Sequence, residues 1–243
     1  MLTDKVVLIT DATHFLGKPG TSVLISEGAK VYAQDETFSD EAARAKFAEL
    51  IPGVTPLAEQ DPEDVVATVV AAEGRLDVMV NNDAYPAVKS AIDEVDIAEF
   101  RRALDGLLVR GMAYAKFATQ QMKKQGGGKI IFISSAVPKH GLPNYSMYVA
   151  ARGGANALAV SLAKELGKFN IQVNALAPNF IESPTYFPQE LLDNPETYKK
   201  ITKPIPLGRL GKPEEAGNYL AFIASDKADY ITGQVLYFAG GWA

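Results

Sequence analysis

The sequence predicts an α/β protein: a doubly wound parallel sheet with helices on both faces. Three observations carry that expectation. Short β-branched runs alternate with longer amphipathic stretches along the whole chain, the rhythm of βα units. Apolar runs such as Val78-Met79-Val80 and Ile130-Ile131-Phe132-Ile133 lack polar alternation, as strands buried on both faces do. Val6-Val7-Leu8-Ile9 runs through a tight turn toward a helix near Gly17, the opening of sheets that bind nucleotides at the carboxyl ends of their strands.

The elements follow in order. The first strand spans Lys5–Thr10 and the first helix Gly17–Glu27. A strand over Lys30–Gln34 precedes a helix over Ser39–Leu50, with Ser39 as its cap. Val54–Ala58 is a short strand, Pro62–Glu73 a helix and Leu76–Val80 a strand. A long helix covers Ile97–Gln125, and Gly126-Gly127-Gly128 ends it before a strand at Lys129–Ser134. Tyr148–Phe169 is a helix, Gln172–Leu176 a strand, Pro213–Ser225 a helix and Gln234–Phe238 the last strand. No linker, repeat or low-complexity tract divides residues 1–243, so a single Rossmann-like domain is expected. One long irregular stretch, about residues 177–194, follows the carboxyl end of a strand. It is rich in proline and aromatics, and its length and position favour a binding site over a surface excursion packed by its own aromatics.

Composition narrows the function. The 24 Lys and Arg against 29 Asp and Glu leave a net charge of −5 with no basic block, which argues against nucleic acid and anionic membranes as partners. The absence of cysteine excludes disulfides and thiolate metal sites and fits a reducing cytoplasm. His14 and His140 are too few and too separate to suggest a metal site, so a solvated loop role is expected. No apolar run reaches the roughly 20 residues that span a bilayer, and no signal segment precedes the first strand.

The residues that can do chemistry lie in the second half. Ser135 ends a strand, Tyr148 lies thirteen residues on, and Arg152 four after that. Positions i and i+4 share a helix face, so the phenol and the guanidinium point together. The start of the helix adds its own positive end. Both favour a phenolate at Tyr148, and the Ser135 hydroxyl can hydrogen-bond at the same oxygen. The pattern S-x12-Y-x3-R is weak alone; its placement on a strand end and a helix start gives it weight.

With these residues in place, a family resemblance emerges. LITDATHFLG (residues 8–17), the VNND of Val80–Asp83, the QVNALAP of Gln172–Pro178 and the closing ITGQVLYFAGG of Ile231–Gly241 resemble the short-chain dehydrogenase/reductase superfamily. The likeness covers nearly the whole chain, but two departures stand out. Members that bind a nicotinamide cofactor carry T-G-x3-G-x-G, whose glycines let backbone amides approach a pyrophosphate. Here the pattern is Thr10-Asp11-x3-Phe15-x-Gly17. Asp11 would set a carboxylate against phosphates, costing roughly 1–4 kcal/mol at about 4 Å, and Phe15 would take up the cofactor's volume. No cofactor is therefore expected. Asp35, where NAD enzymes place an acid for the ribose, is left with a surface or capping role. The second departure is Arg152 in place of lysine: arginine keeps its charge and passes no proton at ordinary pH.

The combination T-x4-F-x-G with S-x12-Y-x3-R resembles the halohydrin dehalogenases, one branch of that superfamily. The resemblance implies a cofactor-free lyase that converts vicinal haloalcohols to epoxides with release of halide and a proton. It also implies the reverse reaction, with azide, cyanide or nitrite opening the ring. On this basis Tyr148 takes the hydroxyl proton, Ser135 holds the substrate oxygen and Arg152 supports the phenolate. Asp83 either pairs with Arg152 or passes the proton onward, and a plain structural ion pair is as good an account. The halide would occupy the vacated nicotinamide space, between Phe15 and Pro178-Asn179-Phe180-Ile181, with a backbone or amide N–H of Asn179 facing it. The resemblance adds Phe187 to that pocket. Ordinary core packing competes as the role of Phe180, Ile181 and Phe187. Leu142 and Tyr145 would border the organic part of the substrate.

Trp242 could cover the site of a neighbouring subunit or its own. The long helix carries a broad apolar stripe of Phe100, Leu104, Leu107, Leu108, Gly111, Met112 and Ala115. The helix after Tyr148 offers small residues such as Gly153 and Gly154. Both suit a helix-pair interface, in line with the superfamily's usual homotetramer, and packing within one chain explains them equally well. Two alternative functions remain: an NAD(P)-dependent dehydrogenase with a degenerate loop, and a non-catalytic binding scaffold.

Overall fold

A computed structural model describes residues 1–184 and 186–243. Seven parallel strands form one sheet in the order β3-β2-β1-β4-β5-β6-β7. They are β1 Val6–Ile9, β2 Lys30–Ala33, β3 Val54–Pro56, β4 Val78–Asn81, β5 Gly128–Ile133, β6 Ile171–Pro178 and β7 Val235–Phe238. This is the doubly wound Rossmann-like α/β fold that the alternation of elements predicts. Neighbouring residues of a strand feed opposite layers. Val7 and Ile9 pack with α1 (Gly17–Ser26), α2 (Glu41–Leu50) and α9 (Pro213–Ala224). Val6 and Leu8 pack with α3 (Pro62–Glu73), α5 (Arg110–Gln125) and α6 (Ser146–Leu166). The strand order reverses between β1 and β4, which pair through Val7–Val78, Leu8–Met79 and Ile9–Val80. A crevice opens above the carboxyl ends at such a reversal.

Local signals place most boundaries. Asp61 accepts the Glu63 N–H at 2.8 Å, Pro62 opens α3, and Gly74 closes it in the left-handed conformation. The start of α2 differs from expectation. Asp40, not Ser39, accepts the Ala42 N–H at 3.0 Å, while Ser39 ends a 3₁₀ turn over Glu36–Ser39. The loop at 177–194 includes the end of β6 and a short helix, α7 (Gln189–Leu192). A further helix not anticipated from the sequence, α8 (Pro195–Thr202), follows under the Asn194 side chain, which accepts from the Glu196 and Thr197 N–H groups.

The long helix is interrupted. Between α4 (Ile97–Leu104) and α5, residues Asp105–Val109 form a π turn. Such a turn takes up one extra residue without moving the helices on either side out of phase. Ala103, Leu107, Gly111, Ala115 and Met122 are thus all buried, while Val109 and Met112 are exposed. The breadth of the apolar stripe has this cause: it is two stripes offset by one residue. Leu108 packs on Gly154 of α6 within the same chain, where a Cβ would lie 2.8 Å from Leu108 Cδ2. Among the described residues, no helix is long and apolar enough to cross a membrane.

Candidate active site

The predicted trio converges above β5 and α6. Ser135 follows β5 and is buried, and its Oγ accepts the Val137 N–H at 3.2 Å, leaving the hydroxyl proton to donate. Tyr148 lies in the first turn of α6, whose leading N–H groups have no side-chain cap. Arg152, one turn on, is buried with its guanidinium carbon 5.4 Å from the centre of the Tyr148 ring. Two backbone carbonyls fix it: Nη1 donates to Ile133 at 2.8 Å and Nη2 to Asp83 at 3.0 Å. Asn156, another turn on, donates from Nδ2 to the Ser135 carbonyl at 3.2 Å. A phenol, a hydroxyl and a fixed cation thus share one corner. Leu142 is exposed and Tyr145, whose N–H donates to the Leu142 carbonyl at 3.2 Å, precedes α6 beside them.

Asp83 meets Arg152 through its backbone rather than its carboxylate. Neither carboxylate oxygen of Asp83 joins an ion pair among the described residues; Oδ1 is buried without a partner, and Oδ2 faces Gly111, where a Cβ would lie only 2.5 Å away. The Asp83–Arg152 ion pair, one of the roles expected for Asp83, is therefore not formed: Arg152 meets the backbone carbonyl of Asp83, and the carboxylate faces Gly111 as a lone buried acid. Burial, and after it the Asp11 carboxylate, push Asp83 up to about 7 against the pull of Arg110 and Arg152.

The opening loop keeps the course of a glycine turn while carrying side chains. Asp11 and Phe15 have φ of 45° and 39°, the left-handed region, which costs a non-glycine residue roughly 1–2 kcal/mol. Gly17 has no such latitude: a Cβ there would sit 2.4 Å from the Ala12 carbonyl oxygen. Asp11 is anchored. Its Oδ1 pairs with Arg110 Nη1 at 2.8 Å and its Oδ2 accepts the Ala84 N–H at 2.8 Å. Burial nevertheless raises Asp11 above the usual carboxylate range, outweighing Arg110. Arg110 Nη2 continues to Gln34 Oε1 at 2.7 Å, and Gln34 Nε2 to Gln60 Oε1 at 3.0 Å. A pyrophosphate would here meet a carboxylate and a phenyl ring in place of bare backbone amides. These residues do not fit a dinucleotide.

Asp35 takes the capping role. Fully buried, it accepts from the N–H and hydroxyl of both Thr13 and Thr37, and His14 Nδ1 lies 3.5 Å away. Burial opposes its charge, but these donors hold it below the usual carboxylate range. His140 is exposed and its Nε2 meets the Trp242 carbonyl at 3.0 Å. Among the described residues no group of three or more His, Asp or Glu is placed to hold a metal.

The loop after β6 brings aromatics to the same crevice. The Pro178 carbonyl accepts the Ala136 N–H at 3.1 Å, tying this loop to the residue after Ser135. The Asn179 N–H is not free for an anion: it donates to the Phe238 carbonyl at 3.1 Å. The Asn179 side-chain oxygen accepts the Phe180 N–H at 3.0 Å, which leaves the amide Nδ2 as its outward donor. Phe180, at φ 56°, stacks on Phe187 at 6.2 Å and meets Trp242 edge-on at 5.6 Å, so Trp242 packs on its own chain. Ile181 is buried in the core cluster with α9 and pairs with Gly211.

Tyr186, adjacent to the expected Phe187, is the residue that sequence reasoning missed. Its ring meets Phe15 edge-on at 5.7 Å, and burial, followed by the Tyr148 phenol, pushes its own phenol up to about 12 against the pull of Arg152. Arg110 was missed as well.

Two cavities complete the description. One of about 130 Å³ lies behind Phe180, between Asn179, Ile181 and Phe238. A larger one, about 470 Å³, lies at the amino ends of the strands. Its charges neutralise one another, as in Lys5–Asp226, Arg75–Asp77 and Lys129–Asp229, so its size does not make it the reaction site.

Known proteins share this architecture. The family profile described as enoyl-(acyl carrier protein) reductase matches residues 17–243. A solved structure named a dehalogenation enzyme is 44% identical, with a TM-score of 0.97 and full coverage of both chains. A halohydrin dehalogenase (HheC) solved with ethyl (2S)-oxiran-2-ylacetate is 38% identical, with a TM-score of 0.93, over 98% of this chain and 96% of that one. Among sequence relatives, a 3-oxoacyl-[acyl-carrier-protein] reductase, FabG, of Thermotoga maritima is 36% identical over 99% of this chain and 98% of its own length. The resemblance to halohydrin dehalogenases read from the motifs is thus met by solved structures, and the chain belongs to the short-chain dehydrogenase/reductase superfamily.

Proposed function

We propose that the protein is a cofactor-independent halohydrin dehalogenase. The observation that carries this is the pairing of an equipped corner, Ser135 with Tyr148 and Arg152, with a cofactor crevice filled by Asp11, Arg110 and Phe15. Ring closure moves no electrons to or from a coenzyme. Tyr148, as phenolate beside the Arg152 charge, removes the proton of a haloalcohol hydroxyl held by Ser135. The oxygen then bonds to the neighbouring carbon as the carbon–halogen bond breaks, and the bond's electron pair departs with the halide. Phe15, Phe180 and Phe187 give that anion polarisable walls, with Pro178 and Ile181 behind them and the Asn179 amide as donor. Leu142 and Tyr145 border the carbon skeleton. Asp83, a buried acid that titrates near neutrality, suits the onward proton step. The two dehalogenase-named structures, at 44% and 38% identity, support the reading. A homotetramer in the cytoplasm belongs to the same proposal, and light scattering tests the assembly.

The reductase names of several sequence relatives favour a second reading, an NAD(P)-dependent reductase. Chloride or bromide release from a panel of small haloalcohols, run without nucleotide beside a fluorescence titration with NADH and NADPH, separates the two. Halide release without saturable nucleotide binding is expected. Saturable micromolar NADH binding with no halide release would establish the reductase instead.

A further inference from the structure

We propose that His140 and Trp242 position the ring of Phe180 and thereby set the size of anion that the halide pocket accepts. The inference rests on the halide pocket of the proposed function. Phe180 is fixed in its backbone more firmly than in its ring. Its φ is 56°, its N–H donates to Asn179 Oδ1 at 3.0 Å, and its carbonyl accepts the Gly211 N–H at 2.9 Å. Behind the ring lies the cavity of about 130 Å³ bounded by Asn179, Ile181 and Phe238. Unfilled space at its back gives the ring no contact there, so its flanks must hold it. Among the described residues the aromatic flanks are Phe187, stacked at 6.2 Å, and Trp242, edge-on at 5.6 Å.

Trp242 is itself anchored from the Ser135 side. After β7 the chain turns at Gly240 and Gly241, with φ of 60° and 90°, and the Trp242 N–H closes the turn on the Ala239 carbonyl at 3.0 Å. A Cβ at Gly240 would lie 2.7 Å from Ile205 Cγ2, so the turn depends on its glycine. The Trp242 carbonyl then meets His140 Nε2 at 3.0 Å, and the two rings stand edge-on at 4.7 Å and 72°. A carbonyl only accepts, so Nε2 carries the proton, and the bond persists whether the imidazole is neutral or charged. His140 belongs to the segment that leaves Ser135, where its N–H donates to the Val137 carbonyl at 3.1 Å. Phe180 belongs to the loop after β6. His140, Trp242 and Phe180 thus form one file of rings from the Ser135 segment to the halide wall. An aromatic pair contributes enough beyond its buried area to shift an equilibrium about two- to ten-fold.

Trp242 is the single tryptophan of the chain, so its own emission reads the anchor. In His140→Ala, acrylamide quenching of that emission is expected to rise above the wild-type level. Product inhibition of bromohydrin turnover by chloride, bromide and iodide then reads the wall. In both His140→Ala and Trp242→Leu, chloride is expected to bind about two- to ten-fold more weakly while iodide holds or gains, as Phe180 gives way toward the cavity behind it. An iodide-to-chloride preference unchanged in both variants overturns the inference. So does an equal weakening of all the halides, which would mean a loosened fold and not a moved ring. Unchanged quenching in His140→Ala overturns it too, since the anchor would then be idle. A wild type that releases no halide fails the proposed function, and the size claim with it; the quenching comparison needs no turnover and decides the anchor separately.

Discussion

The two walls of the crevice are built on different principles. The wall at β5 and α6 presents its chemistry from regular structure: Ser135 at a strand end, Tyr148 in a helix's first turn, Arg152 one turn on and locked to two carbonyls. The wall at β1 presents its chemistry from a strained loop, with Asp11 and Phe15 both left-handed. The first wall is inexpensive to hold and hard to change. The second holds its conformation against roughly 1–2 kcal/mol at each of two residues, offset by the Arg110 ion pair, the Ala84 N–H and the packing of Phe15 on Tyr186. A conformation that persists at such a cost invites a functional explanation, and under the proposed function exclusion of a dinucleotide would supply one.

Perturbing either wall sharpens the contrast. The largest effect is expected at the rigid wall: Tyr148→Phe lowers halide release by about 10²–10⁴-fold with unchanged circular dichroism. Undiminished release would remove the base from that wall.

Next comes Asp83, between the walls. The folded protein holds this proton to higher pH than the unfolded chain, so folding is favoured at low pH and the advantage is lost as pH rises through about 7. Urea unfolding across pH 4 to 8 should show Asp83→Asn flattening that decline by on the order of 4 kcal/mol. Equal slopes in the two proteins would mean the acid is not held as described.

At the strained wall, Gly17→Ala forces a Cβ onto the Ala12 carbonyl and is expected to cost about 1–3 kcal/mol by urea midpoint. Smallest is Phe15→Gly. It relieves one strained residue but leaves the Asp11–Arg110 pair, so NADH fluorescence titration should still show no saturable binding. Micromolar binding by that single variant would shift the explanation from charge to volume alone.

The two walls were also unequally legible in the sequence. That Ser135, Tyr148 and Arg152 share one corner could be read because strand end, helix start and a four-residue spacing are local signals. The limits of α3 followed from Asp61, Pro62 and Gly74 for the same reason. The cap of α2 was misplaced by one residue because Ser39 and Asp40 are both good caps and only the packed backbone chooses between them. Arg110 could not be foreseen: it meets Asp11 across 99 residues, a distance no periodicity spans. Tyr186 lies in a loop without a repeat, so which of two adjacent aromatics packs on Phe15 depends on how Ser183 holds the turn. Asp83 was legible as a residue of interest, but its partner was not, because that depends on where Arg152 spends its donors.

The π turn at Asp105–Val109 has a bearing on how this chain can vary in length. It stores a surplus residue, so losing one there, such as the exposed Val109, should leave a plain α-helix with Gly111 still facing Asp83 and a near-native urea midpoint. An insertion after it, in α5, would rotate everything downstream by roughly 100° and turn the Ala115 and Met122 face out of the core. The molecule thus carries a built-in slack point for single-residue deletions, one turn of helix from its buried acid.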